Sequence, residues 1–247
     1  MMAPAPRVLI TRPLADAEPL ARRVAALGFE PVIEPLLDIR FLDGVPVTLD
    51  GIGALAFTSA NGVRALARAA PEAVGAGLPA FAVGAATAEA ARTAGFGKAE
   101  AAAGDLASLA RLIADRHASG AGAILHVAGR ERAGDLVAAL AAHGIAARRA
   151  VLYAAEAREA FSAEARRLMA AGGIAAVLIF SPRTARLFVT LLGRAGLADS
   201  AKAMRLVALS PRVAVAASAA PWAAVETAPR PDLEAILETL ARTDGSR

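Results

Sequence analysis

The strongest constraint on the fold of this chain is an internal repeat of alternating strands and helices. A stretch that reads "RVLIT" and then "LARRVAALGFEPV" is similar to a later one that reads "AILHVAG" and then "LVAALAAHGIAAR", so that Gly28 lies opposite Gly144. Three more matches follow in the same order, and they place Thr58 opposite Ser181, Gly84 opposite Ser210 and Asp105 opposite Asp232. Strand–helix alternation indicates parallel sheets covered by helices, so we predict an α/β fold of two similar units.

Apolar periodicity predicts where the strands and helices lie. The segment 30–41 is expected to be extended, with interruptions at Pro31 and Pro35. Helices are expected to begin near Asp16 and at Asp105, Asp135 and Asp232, because aspartate caps free N–H groups at a helix start. The remaining strands are predicted at 7–11, 53–58, 80–84, 98–102, 122–128, 146–153, 175–180, 205–209 and 223–227.

Composition excludes several classes of protein. The 247 residues include no cysteine, so disulfides and thiolate metal sites are ruled out. No apolar run is long enough to cross a bilayer and no secretory signal is visible at the start, so we expect a soluble, cytoplasmic protein. The formal net charge of +4 comes almost entirely from arginine, and aromatic residues make up only 4%. Without basic runs interleaved with aromatics, nucleic-acid binding is not expected.

Small polar residues stand at the junctions where predicted strands meet predicted helices. The junctions read "FTSANG", "VGAAT", "FSPRT" and "LSPR". Ligands of parallel α/β sheets collect at the carboxyl ends of the strands, where helix N-termini favour anions. Serine, threonine and asparagine also cap helices without any ligand, and a single junction would indicate no more than that. Four junctions in two units predict a shared cleft for a ligand with many acidic groups.

Other residues that could carry chemistry have simpler interpretations. His117, His126 and His143 have no partner at metal-ligand spacing, so they are interpreted as structural. Glu34, Asp38 and Asp43 show no paired-carboxylate pattern and are expected to be solvated. No glycine-rich phosphate-binding motif is present, which disfavours a nucleotide- or sugar-transferring enzyme.

Tyr153 is the only tyrosine and ends a predicted strand in "RRAVLYAAEA". It is either a packing residue with its hydroxyl in water or, if the chain performs chemistry, the best candidate for a proton donor.

Taken in order, the junction segments resemble those of the uroporphyrinogen-III synthase family. The similar pieces span almost the whole chain, and they are "VLITRP", "GFEPVIEPLLDI", "LAFTSANGV", "FAVGAATAEAA", "ILHVAGRERAGDLVAAL", "AVLYAAEA", "LIFSPRTARLF" and "PDLEAILETL". The resemblance implies two α/β domains joined by a two-stranded connector. The first domain would comprise 1–36 and 157–247, the second 42–149, and the connectors 37–41 and 150–156.

The resemblance also implies a reaction and a site. Hydroxymethylbilane, a linear tetrapyrrole with eight carboxylates, would close to uroporphyrinogen III with loss of water and inversion of the terminal ring. No metal or organic cofactor is implied, and a monomer is expected. Tyr153 would be the acid. The residues implied to bind substrate are Arg12, Thr58, Ser59, Asn61, Gly84, Thr87, Arg130, Ser181, Arg183, Ser210 and Arg212.

The last junction departs from the family pattern. Where the family often has a glycine followed by threonine, this chain has Ser210 and Val213, so Ser210 and Arg212 are expected to replace the missing hydroxyl. This departure favours a second hypothesis, a non-catalytic two-domain protein that binds a polyanionic ligand. Tyr153 and "FTSANG" favour the enzyme.

Overall fold

The computed structural model describes residues 4–131 and 134–242. The chain divides into two compact units. The first unit comprises Met1–Asp38 and Glu156–Arg247, and the second unit comprises Ile39–Ala155. Within the described ranges, no helix combines the length and the apolar character that crossing a membrane would need.

The first unit is built on a sheet of five parallel strands in the order β11-β10-β9-β1-β2. Its strands are β1 Arg7–Ile10, β2 Glu30–Ile33, β9 Ala176–Ile179, β10 Arg205–Ala208 and β11 Ala224–Thr227. Its helices are α1 Leu14–Ala26, α6 Ala163–Ala170, α7 Pro182–Arg194, α8 Pro211–Ala216 and α9 Leu233–Ala241. Helix α1 begins two residues before the predicted start at Asp16.

The second unit contains most of a six-stranded sheet in the order β3-β8-β7-β4-β5-β6. The strands from β8 to β6 are parallel, and β3 forms the edge beside β8. The strands of this sheet are β3 Leu37–Phe41, β4 Ile52–Phe57, β5 Ala80–Ala82, β6 Ala99–Ala101, β7 Ala123–Gly129 and β8 Ala147–Ala157. Its helices are α2 Ala60–Ala69, α3 Ala85–Thr93, α4 Leu106–Arg116 and α5 Leu136–Ala141.

The internal repeat corresponds to a repeated topology, which confirms the predicted fold class. The order β11-β10-β9-β1-β2 of the first unit matches β6-β5-β4-β7-β8 of the second, strand for strand. Gly28 and Gly144 each end the helix between the last two of these strands, with φ of 87° and 72°. A left-handed residue at that point stops a helix, and glycine adopts it without steric cost.

One of the predicted repeat matches is wrong by a residue. Ser181 is the N-cap of α7, whereas the N-cap of α2 is Ser59 and not Thr58. The equivalent of Thr58 is therefore Phe180, the first residue after β9. Thr58 and Ser59 both carry hydroxyls, so either can be aligned with Ser181 by residue type, and the sequence comparison chose the wrong one.

Helices cover both faces of each sheet, so alternate residues of the central strands are buried on opposite sides. In β1, Leu9 packs in one core cluster while Val8 and Ile10 pack in another. In β4, Leu55 and Phe57 likewise face away from the cluster that contains Ala54 and Ala56. This two-sided burial explains why the strands are continuous apolar runs in the sequence.

Aspartate caps begin three of the helices, as predicted. The side chains of Asp105, Asp135 and Asp232 accept hydrogen bonds from the backbone N–H groups of Ser108, Ala138 and Ala235. The bond from the Ser108 N–H is the main cause that lowers the pKa of the Asp105 carboxyl. Each cap satisfies an N–H group that the helix itself leaves free.

The prediction that Glu34 is solvated is wrong. Its side chain is buried, and its carboxylate accepts bonds from the N–H of Ser162 at 2.8 Å and from the Ser162 hydroxyl at 2.6 Å. Ser162 in turn caps α6. Asp38 and Asp43 are exposed as predicted, and they pair with Arg158 and Arg68. The burial of Glu34 was not predicted because its partner, Ser162, is distant in the sequence.

Candidate functional site

The carboxyl edge of the second unit's sheet brings together the predicted residues of that unit. Strands β4, β5 and β7 are parallel, so the residues that follow Phe57, Ala82 and Gly129 lie at one edge. These residues are Thr58, Ser59, Gly84 and Arg130. Tyr153 of β8 belongs to the same edge, because it is the register partner of Gly129. The central feature of this edge is therefore a row of hydroxyl, arginine and phenol groups.

The junction "FTSANG" builds the start of α2. The hydroxyl of Ser59 accepts a bond from the N–H of Asn61 at 3.1 Å. The Asn61 side chain is buried, and its Oδ1 accepts from Arg64 at 2.8 Å. At Gly62 an added Cβ would lie 3.1 Å from the carbonyl oxygen of Val127, so glycine allows α2 to lie close to the end of β7. Of the junction residues Thr58, Ser59, Asn61 and Gly62, the last three therefore have a structural role.

Thr58 contacts a histidine that sequence reasoning treated as merely structural. Its Oγ1 lies 3.4 Å from Nε2 of His126, whose side chain is buried in the neighbouring strand β7. Desolvation, followed by the positive charge of Arg149, lowers the pKa of His126 to about 4. His126 is therefore neutral at physiological pH. Its Nδ1 has no hydrogen-bond partner among the described residues.

Gly84 and Thr87 lie at the start of α3. Gly84 is the N-cap of this helix in an extended conformation, and a Cβ there would make only an ordinary contact with Gly104. Thr87 is buried. No side chain caps this helix start, and backbone N–H groups at a helix N-terminus attract anions.

Arg149 is a residue of this edge that the sequence analysis did not single out. Its Nη2 donates to the carbonyl oxygen of Gly129, and to that of Arg130 at 3.3 Å. The N–H of Arg130 donates to the carbonyl oxygen of Tyr153 at 2.8 Å. Arg149 thus holds the end of β7 against β8. The adjacent arginines at 148 and 149, inside a predicted strand, were a signal, because neighbouring strand residues face opposite sides.

Tyr153 lies inside β8 and not at its end, because the strand continues to Ala157. The ring is 8% exposed and belongs to the core cluster that contains Phe57 and Val127. Its position opposite Gly129 still places it at the carboxyl end of β7. The ring is therefore held by packing, which fixes the direction of its hydroxyl.

The carboxyl edge of the first unit's sheet holds the other predicted residues. Arg12 follows β1; its guanidinium lies 4.8 Å from the centroid of the Phe180 ring and 3.0 Å from Asp16. Ser181 caps α7 by accepting from the N–H of Thr184 at 3.1 Å. Ser210 precedes α8 without a side-chain capping bond. The remaining predicted residues of this edge lie in the first turns of α7 and α8, and they are Arg183 and Arg212.

Val213 occupies the position at the last junction where the family often has a threonine. Its side chain is 1% exposed and packs in the core of the first unit. The position therefore faces the core, and a valine there loses a hydroxyl without opening a cavity. Exposed Arg212 is the charged group of this junction.

Each edge can bind carboxylates, because hydroxyls, helix N–H groups and arginines are all donors. Among residues 4–131 and 134–242, no group of three or more histidines, aspartates or glutamates is arranged to hold a metal ion. The only phenol, Tyr153, supplies a proton donor at the edge of the second unit.

Comparison with known proteins gives a consistent family. A family model described as uroporphyrinogen-III synthase HemD matches residues 18–238. A protein of Methanocaldococcus jannaschii described as a putative uroporphyrinogen-III synthase is 42% identical over 60 residues. This match covers 24% of the chain and only 25% of that relative.

Two solved structures are similar over almost the whole chain. The uroporphyrinogen-III synthetase of Helicobacter pylori has a TM-score of 0.65 at 17% identity, and covers 94% of this chain and 97% of its own. A mutant uroporphyrinogen III synthase of Thermus thermophilus has a TM-score of 0.57 at 20% identity, with 96% of each chain covered. At these identities the likeness establishes the fold, and the family rests on the match over residues 18–238.

Proposed function

The chain belongs to the uroporphyrinogen-III synthase family, and we propose from this that it closes hydroxymethylbilane to uroporphyrinogen III. The observation that carries the proposal is the family match over residues 18–238, together with the row of donors at the carboxyl edge of the second unit. The terminal ring is inverted and one water is lost in this reaction.

The chemistry needs little beyond geometry and a proton. The electron-rich pyrrole expels the hydroxyl group: its nitrogen lone pair forms the azafulvene as the C–O bond breaks. The leaving oxygen takes a proton and departs as water. We assign this proton to the Tyr153 phenol, because general acids assist departure of poor leaving groups. The terminal ring then attacks the azafulvene methylene carbon through its substituted carbon, which gives a spiro intermediate. The older bond between that carbon and its methylene bridge breaks, the bridge re-forms at the free α-carbon of the same ring, and loss of a proton from that carbon restores the pyrrole. Holding the chain for the first attack selects isomer III.

The substrate's carboxylates require many donors. We assign this task to two sets of residues, one at each sheet edge. In the second unit the set is Thr58, Ser59, Asn61, Gly84, Thr87 and Arg130. In the first unit it is Arg12, Ser181, Arg183, Ser210 and Arg212, with the last two replacing the threonine hydroxyl that Val213 lacks.

The organisation of the protein is proposed from the same family membership. The first domain comprises 1–36 and 157–247, the second 42–149, and the connectors 37–41 and 150–156. The protein acts as a cytoplasmic monomer on a small-molecule substrate and has no nucleic-acid partner. Equilibrium sedimentation tests the monomer, with a mass of 24.9 kDa expected.

A coupled assay tests the function. Hydroxymethylbilane is generated in place by its upstream deaminase, and the oxidised porphyrin isomers are separated by chromatography. We expect isomer III in proportion to the amount of protein, and only the spontaneous isomer I with the deaminase alone. Isomer I alone in the presence of the protein would overturn the proposal and favour a binding protein for a polyanionic ligand.

A further inference from the structure

We propose that Gly129 is a positioning residue for Tyr153, and that the missing side chain at Gly129 sets the plane of the Tyr153 ring. This inference rests on the acid role proposed above for Tyr153. It assigns a task to a residue that has no side chain of its own.

The ring occupies the space where a side chain at position 129 would stand. A Cβ added to Gly129 would lie 2.9 Å from both Cε2 and Cζ of Tyr153, and 3.2 Å from its hydroxyl oxygen. Carbon atoms in contact are normally about 3.5–4.0 Å apart. Gly129 does not have a positive φ. Space, and not backbone conformation, is therefore what requires glycine here.

A bulge in β8 directs the ring toward this glycine. Ala128 pairs with Val151, but the next residue, Gly129, pairs with Tyr153, so Leu152 is an extra residue in β8. Consecutive strand residues normally face opposite sides, yet Leu152 and Tyr153 pack in the same core cluster. Bulges re-aim side chains in this way and are frequent beside active sites.

The backbone under the ring is fixed as well. Arg149 donates to the carbonyl oxygens of Gly129 and Arg130, and the N–H of Arg130 donates to the carbonyl oxygen of Tyr153. The strand therefore cannot retreat easily from an added methyl group. In Gly129→Ala the ring must move instead, and the phenol hydroxyl moves with it.

Gly129→Ala is compared with the unchanged chain and with the same substitution in a Tyr153→Ala background. With the ring present, we expect kcat for isomer III to fall by up to about 100-fold, the cost that a misplacement of about 1 Å can reach, with little change in KM. With the ring absent, the methyl group has room, and Gly129→Ala should change kcat less than about twofold. Gly193→Ala is the control, since a Cβ there meets nothing within 4 Å.

Because the chain has one tyrosine, incorporation of 3-fluorotyrosine gives one ¹⁹F resonance. Gly129→Ala should shift this resonance, and Gly193→Ala should not. An equal loss of kcat in both backgrounds, or an unmoved resonance, would overturn the proposal. If Gly129→Ala alone fails to fold, recovery of folding in the Tyr153→Ala background supports the proposal, and failure in both backgrounds contradicts it. If the acid role is wrong, Tyr153→Phe keeps full turnover, whereas the ¹⁹F shift still tests the contact.

Discussion

Glu34→Gln should destabilise the first unit although it changes only one atom of the side chain. The Glu34 carboxylate is 1% exposed and accepts two bonds from Ser162, the cap of α6. Glutamine keeps one accepting oxygen for the Ser162 N–H and replaces the other by an NH₂ group, which can only donate to the Ser162 hydroxyl. The bond from that hydroxyl to a charged oxygen is therefore lost. Hydrogen bonds to charged groups contribute about 1.5–3 kcal/mol each. We therefore expect Glu34→Gln to lower the free energy of unfolding by about 2 kcal/mol.

The chain contains its own reporter for this measurement. Trp222 is the only tryptophan and stacks on Phe188 at 5.6 Å between ring centroids. Both rings pack against the core cluster that includes Leu36, close in sequence to Glu34. Urea unfolding followed by tryptophan fluorescence therefore reports the first unit.

A matched control separates burial from loss of charge. Glu30→Gln removes an exposed ion pair with Arg7, whose worth is below about 1 kcal/mol. In a Ser162→Ala background, Glu34→Gln should cost clearly less, because the hydroxyl partner is already absent. Equal midpoints for Glu34→Gln and Glu30→Gln would refute the argument that the buried carboxylate stabilises α6.

Three further predictions concern the candidate site. Tyr153→Phe should lower kcat for isomer III by about 10²-fold or more with KM and far-UV circular dichroism unchanged; unchanged turnover would remove Tyr153 from the mechanism. The pKa of His126 is about 4 in the folded chain and about 6.5 in the unfolded chain. The unfolded state therefore binds the proton first as pH falls. The free energy of unfolding should decrease by about 3 kcal/mol between pH 6.5 and pH 4. His126→Leu should flatten this slope in unfolding curves, and an identical slope would contradict it. Thr58→Val should raise KM with little loss of stability, because Thr58 caps no helix. Ser181→Ala should raise KM and also lower the free energy of unfolding by about 1 kcal/mol, because Ser181 caps α7. Equal melting curves for the two variants would contradict the capping argument.

Local signals predicted the fold well. The aspartate caps and the stop glycines act through residues three or four positions away, so the sequence displays both partners at once. Two-sided burial likewise appears directly as short apolar runs. The strand order was not predicted from the sequence; the repeat indicates only that the two halves pair their strands alike, as they do.

The candidate site was predicted only in part, for a physical reason. Residues at strand ends were found because parallel topology gathers them at one edge whatever their partners are. Contacts between distant segments left no local pattern: Glu34 meets Ser162 and Thr58 meets His126 across long separations in the chain. The contact of Gly129 with Tyr153 depends in addition on a bulge in β8, which periodicity cannot reveal.

Capping a helix and binding a carboxylate do not compete for the same hydroxyl. Ser59 and Ser181 each accept a bond from a helix N–H group, which occupies an acceptor position of the oxygen. A hydroxyl also has one proton to donate, and a carboxylate can only accept. The cap therefore fixes the side chain in advance. The Ser181 hydroxyl also lies 2.8 Å from the Thr184 hydroxyl, so its proton is available to a carboxylate when Thr184 donates in that bond. Ser210 lacks such a cap, so binding a carboxylate there must first order its side chain. We expect the β9–α7 junction to contribute more to substrate affinity than the β10–α8 junction does.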